Sequence, residues 1–324
     1  MINNINEKLK TRTGQKHVEA VLLGFFAIVA VLFMGLSFVG IQNKPAEITA
    51  IELKANPFHD IKILAKSAYV IDVNTGKVLY EKNADVQLPL ASLTKLITAV
   101  TAIELVPDYT IVSIDEESIK NDGDSGLVPD EKFKLKDLIN LVLVSSSNDG
   151  ASALAASVGA IETGKMSDSK NYMANETVFV KKMNEKIHAL NLNQTFVLNS
   201  TGLDTSSSLS GGYGSAKDVG TLFTYILKNR PDLISSTQKA NFELSSEDFK
   251  HTAKNTNTDV NNIPELLGSK TGYTDLAGGN LVIAFDAGFN KPIIISVLGS
   301  TEEGRFEDVN KLVWTSLEYL KEQN

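Results

Sequence analysis

The segment that most restricts how this chain can fold is residues 20–40, AVLLGFFAIVAVLFMGLSFVG, which contain no charged side chain. As a helix, this segment spans roughly 31 Å, about the thickness of the hydrocarbon core of a bilayer. In residues 1–19 basic side chains outnumber acidic ones, and the positive-inside rule places such a flank in the cytoplasm. We therefore predict a single-pass transmembrane helix in the cell membrane, with the chain after residue 40 on the extracytoplasmic side.

A cleaved signal peptide is the competing interpretation of residues 20–40. The apolar stretch is long for the hydrophobic region of a signal peptide, and no convincing A-x-A cleavage site follows it. These features favour a retained anchor through which the protein contacts the lipid bilayer.

The remaining chain divides into a linker over residues 41–60 and one folded domain over residues 61–324. Residues 41–60 mix proline, asparagine and charges without a clear period, which is typical of a tether. The absence of cysteine excludes disulfides, thiolate metal sites and a cysteine nucleophile. A net charge of −8 argues against a protein that binds nucleic acid through phosphate contacts.

Hydrophobic periodicity predicts an α+β fold for the folded domain. Residues 68–80 alternate about Asn74-Thr75-Gly76, which indicates a β-hairpin. Helical spacing appears over residues 92–105, 135–144, 151–158, 176–190, 217–228 and 302–322, and strand patterns appear over 242–244, 268–273, 281–285 and 293–298. Strands at both ends with helices between them predict an antiparallel sheet flanked by helices, with a helical subdomain.

Several chemistries lack the residues that they require. The four histidines are scattered without metal-ligand spacing, which argues against a structural zinc site. No G-x-S-x-G elbow is present, and Ser269 interrupts the Gly-Lys pair that a phosphate-binding loop needs. The residues therefore imply no metal or organic cofactor.

Ser92-Leu93-Thr94-Lys95 offers a different chemistry. The i, i+3 spacing places the hydroxyl and the amine on one face of a helix. A lysine can take the proton of a serine nucleophile if burial or another cation lowers its pKa. An isolated S-x-x-K match is most often a helix cap followed by a solvated lysine, so this motif alone decides nothing.

Two further motifs follow in order. Ser146-Ser147-Asn148 falls on a predicted loop between helices, and Lys270-Thr271-Gly272 falls on a predicted strand. The three together form the signature of penicillin-binding proteins and class A β-lactamases. With their flanks, for example residues 68–99 and 268–282, they make the chain resemble the D-alanyl-D-alanine carboxypeptidases, the low-molecular-mass penicillin-binding proteins. The resemblance covers about residues 61–322 and implies a penicillin-binding-protein/β-lactamase-like fold.

The resemblance implies roles for residues at the matching positions. Ser92 would be the acylated nucleophile and Lys95 its general base. Asn148 would hold a substrate amide, and Ser146 would pass a proton to the leaving D-alanine. Lys270 would keep the site electropositive and help to keep Lys95 neutral, which fits the physical need for a second cation beside a lysine base.

The resemblance also implies a binding site for the end of the substrate. Thr271 and Arg305 would hold the terminal carboxylate. Gly272 would let the substrate approach the strand, since a side chain there would block an added backbone. Tyr273, where many relatives have histidine, would provide an oxyanion-binding N–H group together with Ser92.

The implied function is removal of the terminal D-alanine from peptidoglycan stem peptides, with β-lactams as covalent inhibitors. Alternatives remain open: an endopeptidase or transpeptidase, a class A-like β-lactamase, and a pseudoenzyme that binds wall peptides without turnover. No E-x-x-L-N pattern lies between Asn148 and Lys270, which disfavours rapid β-lactam hydrolysis. The chain also stops one helix after the predicted sheet, where many relatives continue into a further β-domain and a C-terminal anchor.

Overall fold

The computed structural model of the chain describes residues 56–123 and 125–323. The predicted cytoplasmic segment 1–19, the predicted transmembrane helix 20–40 and all of the predicted linker before residue 56 lie outside these ranges. Within the described ranges, no helix is long and apolar enough to cross a membrane.

Six α-helices form most of the helical part of the described chain. They are α1 (Thr94–Leu105), α2 (Leu135–Val144), α3 (Asn148–Thr163), α4 (Tyr172–Ala189), α5 (Ala216–Asn229) and α6 (Gly304–Gln323). Helix α1 is preceded by a 3-10 turn over Ala91–Leu93. Nearly every residue of α1 is buried, so it is a core helix enclosed on all sides rather than an amphipathic surface helix.

The central sheet has five antiparallel strands in the order β10-β11-β12-β1-β2. The strands are β1 (Ser67–Asp72), β2 (Val78–Lys82), β3 (Leu88–Pro89), β4 (Ile111–Ser113), β5 (Lys132–Lys134), β6 (Phe196–Val197), β7 (Gly212–Gly214), β8 (Asn241–Ser245), β9 (Lys250–Lys254), β10 (Leu266–Thr274), β11 (Gly278–Asp286) and β12 (Pro292–Ser300). The predicted hairpin over residues 68–80 is confirmed as β1 and β2. The N-terminal and C-terminal segments therefore share one sheet, as the α+β prediction required.

Both faces of the sheet are buried. Alternate side chains of β11, Leu281, Ile283 and Phe285, face a core that includes Val309 and Leu312 of α6. The intervening residues Val282 and Ala284 belong to a second core formed with the helical subdomain. Because successive strand residues point to opposite faces, a strand covered on both sides reads as a nearly continuous apolar run. The sheet thus lies between α6 on one face and the helical subdomain on the other.

The structure refines several predicted boundaries. Helix α3 begins at Asn148 because the Ser147 hydroxyl accepts a hydrogen bond from the backbone N–H of Gly150, at 2.9 Å, and caps the helix. The predicted loop between α2 and α3 is correspondingly shorter. Strand β9, Lys250–Lys254, was not predicted, because its sequence KHTAK lacks an apolar alternation.

Asp308 connects the start of the folded domain to α6 and β12. Its buried carboxylate accepts hydrogen bonds from the backbone N–H groups of Leu64 (2.8 Å) and Ala65 (2.7 Å) and from the hydroxyl of Ser300 (2.7 Å). Three donors therefore depend on one buried anion, so removal of the anion leaves all three unsatisfied.

We predict that Asp308→Ala lowers the free energy of unfolding by about 3 kcal/mol, measured by urea denaturation, because the three donors lose their acceptor. The exposed Glu318 on the same helix is the matched control, and Glu318→Ala should change stability by less than about 0.5 kcal/mol. Equal effects of the two substitutions would contradict the anchoring role of Asp308.

Candidate active site

Lys95 joins the first two sequence motifs. It lies in the first turn of α1, and its side chain is fully buried. Its Nζ is 2.8 Å from Ser92 Oγ, 2.6 Å from Asn148 Oδ1 and 2.7 Å from the carbonyl oxygen of Thr201. Ser92 lies in the 3-10 turn and is partly accessible. The structure therefore places an accessible hydroxyl directly against a buried amine.

The charge state of Lys95 is set by its surroundings. Burial lowers the pKa of Lys95 well below its usual value, and the neighbouring Lys270 cation lowers it further, while Asp149 acts in the opposite direction. A lysine with a lowered pKa carries a lone pair on Nζ that can accept a proton. The environment of Lys95 thus favours the neutral amine, which can accept the proton of Ser92 Oγ.

The loop between α2 and α3 links all three motifs. Asn148 accepts from Lys95 through Oδ1 and donates through Nδ2 to the carbonyl oxygen of Asp122, at 2.6 Å. Ser146 adopts a left-handed backbone conformation, φ 63°, which is costly for a residue with a side chain. Its hydroxyl accepts from Lys270 Nζ at 2.9 Å. The strained residue is therefore the one that connects the loop to strand β10.

Lys270 is the second buried lysine of the site, and 1% of its surface is exposed. Burial, together with the charge of Arg305, lowers the pKa of Lys270 to about 7. Its Nζ also donates to the carbonyl oxygen of Thr271, at 2.9 Å. Near neutral pH, Lys270 is therefore close to the midpoint of its titration, and an anion bound beside it would favour the protonated form.

Thr271 lies in strand β10, and Arg305 of α6 contacts the backbone of the same strand. The hydroxyls of Thr271 and Thr256 are 2.6 Å apart. Arg305 lies at the start of α6 and is buried, and its Nη1 donates to the carbonyl oxygen of Gly272, at 3.0 Å. Its Nε has no hydrogen-bond partner among the described residues. Arg305 is therefore a buried cation at the strand edge, with one N–H group that makes no hydrogen bond within the described residues.

Gly272 lies against the turn that carries Ser92. A Cβ atom added there would lie 2.8 Å from the carbonyl oxygen of Leu90 and 3.1 Å from the backbone nitrogen of Ser92. The missing side chain thus makes room for the turn that carries Ser92, and its role in the approach of a substrate backbone stays a prediction. Tyr273, the next residue, has a half-exposed side chain at the mouth of the site.

Asn280 is a site residue that the sequence analysis missed. It is fully buried on β11, and its Nδ2 donates to the carbonyl oxygens of Pro89 (3.0 Å) and Leu90 (3.1 Å). Its Oδ1 accepts from the backbone N–H of Gly299, at 2.8 Å. Ala91, directly before Ser92, has a left-handed φ of 48°. Asn280 therefore holds the strained turn before Ser92 against the sheet. An isolated asparagine within an apolar strand was the sequence feature that could have indicated this role.

Comparison with known proteins identifies the family. A model of the D-alanyl-D-alanine carboxypeptidase family matches residues 53–302. The chain belongs to the D-alanyl-D-alanine carboxypeptidase family. It is 30% identical to D-alanyl-D-alanine carboxypeptidase DacF of Bacillus subtilis over 255 residues, which cover 77% of this chain and 61% of the relative. It is also 30% identical to a D-alanyl-D-alanine endopeptidase of Pseudomonas aeruginosa over 229 residues, covering 68% and 67% of the two chains.

Solved structures show the same fold. The Streptomyces K15 DD-transpeptidase superposes with a TM-score of 0.70 at 24% identity, covering 80% of this chain and 98% of that one. Penicillin-binding protein D2 of Listeria monocytogenes in a cefotaxime-bound form superposes with a TM-score of 0.64 at 25% identity, covering 79% and 98%. The carboxypeptidase family and the penicillin-binding-protein fold expected from the motifs are thus confirmed. This chain spans about three fifths of the length of the Bacillus relative.

We predict that Gly272→Ala slows covalent labelling by a β-lactam about 100-fold. The new Cβ is too close to the backbone of Leu90 and Ser92, so it displaces the nucleophile from its position. The rate of adduct formation, followed by mass spectrometry, measures the effect. Gly76→Ala in the β1–β2 turn is the control, since no atom of another part of the chain lies within 4 Å of its added Cβ. Labelling of Gly272→Ala at the wild-type rate would contradict the proposed reason for the glycine.

Proposed function

We propose that this family member is a membrane-anchored serine DD-carboxypeptidase that removes the terminal D-alanine from peptidoglycan stem peptides. The observation that carries the proposal is the contact between the buried Lys95 amine and the accessible Ser92 hydroxyl, at 2.8 Å. A binding module would gain nothing from a lysine buried beside a serine, because burial of an ammonium group costs stability. The arrangement has a clear use in nucleophilic catalysis.

In the proposed acylation step, Ser92 Oγ attacks the carbonyl carbon of the penultimate D-alanine while its proton moves to Lys95 Nζ. The carbonyl oxygen becomes an oxyanion that the backbone N–H groups of Ser92 and Tyr273 bind. When the C–N bond breaks, the proton held by Lys95 passes through the Ser146 hydroxyl to the departing amine of the terminal D-alanine, which leaves Lys95 neutral again. An acyl-enzyme ester on Ser92 remains.

In the proposed deacylation step, water attacks the ester carbonyl while Lys95 accepts a proton from the water, and Lys95 returns this proton to Ser92 Oγ as the ester bond breaks. Asn148 would hold the amide of the acyl chain in both steps. The catalytic Glu of class A β-lactamases has no counterpart in an E-x-x-L-N pattern here, so a β-lactam adduct should persist far longer than an acyl-peptide intermediate.

The proposed specificity for a free carboxylate rests on buried cations at one end of the cleft. Lys270 and Arg305 both lie near Thr271 and Gly272, and Arg305 retains an unbonded Nε–H group. The positive charge of these residues would attract a terminal carboxylate, and the Thr271 hydroxyl would donate a hydrogen bond to it. An internal peptide bond lacks the negative charge that the site would neutralise.

A second candidate is a DD-endopeptidase that cuts cross-links between stem peptides. The 30% identity to the Pseudomonas aeruginosa endopeptidase over about two thirds of both chains favours it. Both activities use the same acyl-enzyme and differ in the leaving group, so substrate competition separates them. The membrane anchor proposed for residues 20–40 is common to both.

We predict that Ser92→Ala abolishes the β-lactam adduct seen by intact-protein mass spectrometry and lowers D-alanine release from a D-Ala-D-Ala pentapeptide by roughly 1,000-fold or more. The exposed Ser207 is the matched control, and Ser207→Ala should behave as wild type. A wild-type protein that forms no adduct and releases no D-alanine would indicate a binding module. Rapid loss of the drug would indicate a β-lactamase, and cleavage confined to cross-linked dimers would indicate the endopeptidase.

A further inference from the structure

One aromatic side chain stands outside the packing of the domain. Phe289 lies in the turn between β11 and β12, and its ring is fully exposed. Its backbone is left-handed, with φ 55°, and the following Asn290 has φ 59°. A bulky residue in this conformation is an unfavourable choice for a turn, where glycine, asparagine or aspartate fits without strain. Neither the active site nor the core explains a phenylalanine at this position.

The turn presents Phe289 on a rigid support. Oδ1 of Asp286 accepts hydrogen bonds from the backbone N–H groups of Gly288 and Lys291, both at 2.9 Å. The backbone N–H of Ala287 donates to the carbonyl oxygen of Lys291, also at 2.9 Å. The neighbouring turn between β1 and β2 braces it, because Asn74 Nδ2 donates to the carbonyl oxygen of Asn290, at 2.7 Å. An exposed ring on a fully bonded turn is a fixed feature of the surface.

The folded domain begins at the same end of the sheet. Asp72 pairs with Ile293, so the β1–β2 turn and the β11–β12 turn lie side by side. Lys77 Nζ in the first of these turns donates to the hydroxyl of Tyr319, at 2.7 Å. The ring of Phe58, near the start of the described chain, lies 5.8 Å from that of Tyr319. The chain therefore enters the domain beside the two turns.

The apolar segment 20–40 is close to this entry point along the chain. Residues 41–55 separate it from the described structure and extend at most about 50 Å. The linker would therefore keep the first residues of the folded domain within about 50 Å of a bilayer that held residues 20–40. Asp72, Lys77, Asp286 and Lys291 are the charged residues of the two turns, so the turns carry no net charge that would repel lipid headgroups.

From these observations we propose that the β11–β12 turn is a membrane-contacting tip, in which Phe289 inserts into the lipid interface and fixes the orientation of the domain. The inference rests on the anchor in the proposed function. An aromatic ring on a preformed turn adds apolar contact with lipid at little entropic cost. A single anchoring helix on a flexible linker would otherwise leave the domain free to rotate.

The proposal sets the height of the active site above the membrane. Gly272 pairs with Asn280, and Asp286 at the base of the turn lies six residue steps further along β11. At about 3.4 Å per residue this is roughly 20 Å. The cleft would face away from the lipid surface, toward substrate in the wall layer, rather than lie against the headgroups.

The test uses the full chain reconstituted into phosphatidylglycerol/phosphatidylethanolamine vesicles that contain brominated lipids. Trp314 is the chain's one tryptophan, so Trp314→Phe gives a silent background for Phe289→Trp. Phe249→Trp is the matched control, because Phe249 is an exposed phenylalanine in the β8–β9 turn. We expect blue-shifted emission and loss of most of the fluorescence by quenching for Phe289→Trp, and neither change for Phe249→Trp.

The remaining outcomes overturn the proposal in distinguishable ways. If the protein floats with the vesicles but Phe289→Trp is unquenched, the domain is anchored without a contacting tip. If both reporters are quenched equally, the domain adsorbs without a fixed orientation. If the protein does not float, the proposed anchor fails and the tip fails with it. Labelling of Ser92 by a fluorescent penicillin in the same samples reports the proposed catalytic function independently of all three results.

Discussion

The burial of two lysines, Lys95 and Lys270, in one cleft is the constraint on which the rest of the structure depends. Removing an ammonium group from water is costly unless its protons find acceptors or the group becomes neutral. Lys95 meets Ser92, Asn148 and Thr201, which come from three separate parts of the chain. The fold must therefore bring these segments together and hold them to within tenths of an ångström.

The architecture meets this demand with two cores on either side of one sheet. Helix α1 is a core helix that carries Lys95 in its first turn, where the lysine side chain is fully buried. Strand β10 carries Lys270 and pairs with β11, whose side chains pack in the core with α6. Strained residues occur where these rigid parts meet: Ala91 before the nucleophile and Ser146 in the loop. Such strain persists only where the surrounding contacts over-determine the backbone.

Local sequence patterns predict many of the helices and strands, whereas features that depend on long-range contacts could not be predicted from the sequence. The hairpin over residues 68–80 and the helix after Ser92 were predictable because alternation and helical spacing are local properties of a sequence. The role of Asn280 was not, since its partners Pro89 and Leu90 are about 190 residues away along the chain. Gly272 was recognised as necessary, but the backbone that approaches it became visible only once β10 and the Ser92 turn were packed together.

The neutral state of Lys95 is tested most directly by an NMR titration of the ε-carbons of ¹³C-labelled lysines, with the Lys95 signal assigned by its absence from Lys95→Met. Because burial and the Lys270 charge lower the pKa of Lys95, its signal should titrate well below the signals of the exposed lysines in the same spectrum. Removing the second cation in Lys270→Met should move that midpoint upward. A Lys95 signal that titrates together with the exposed lysines would contradict a neutral general base at Ser92.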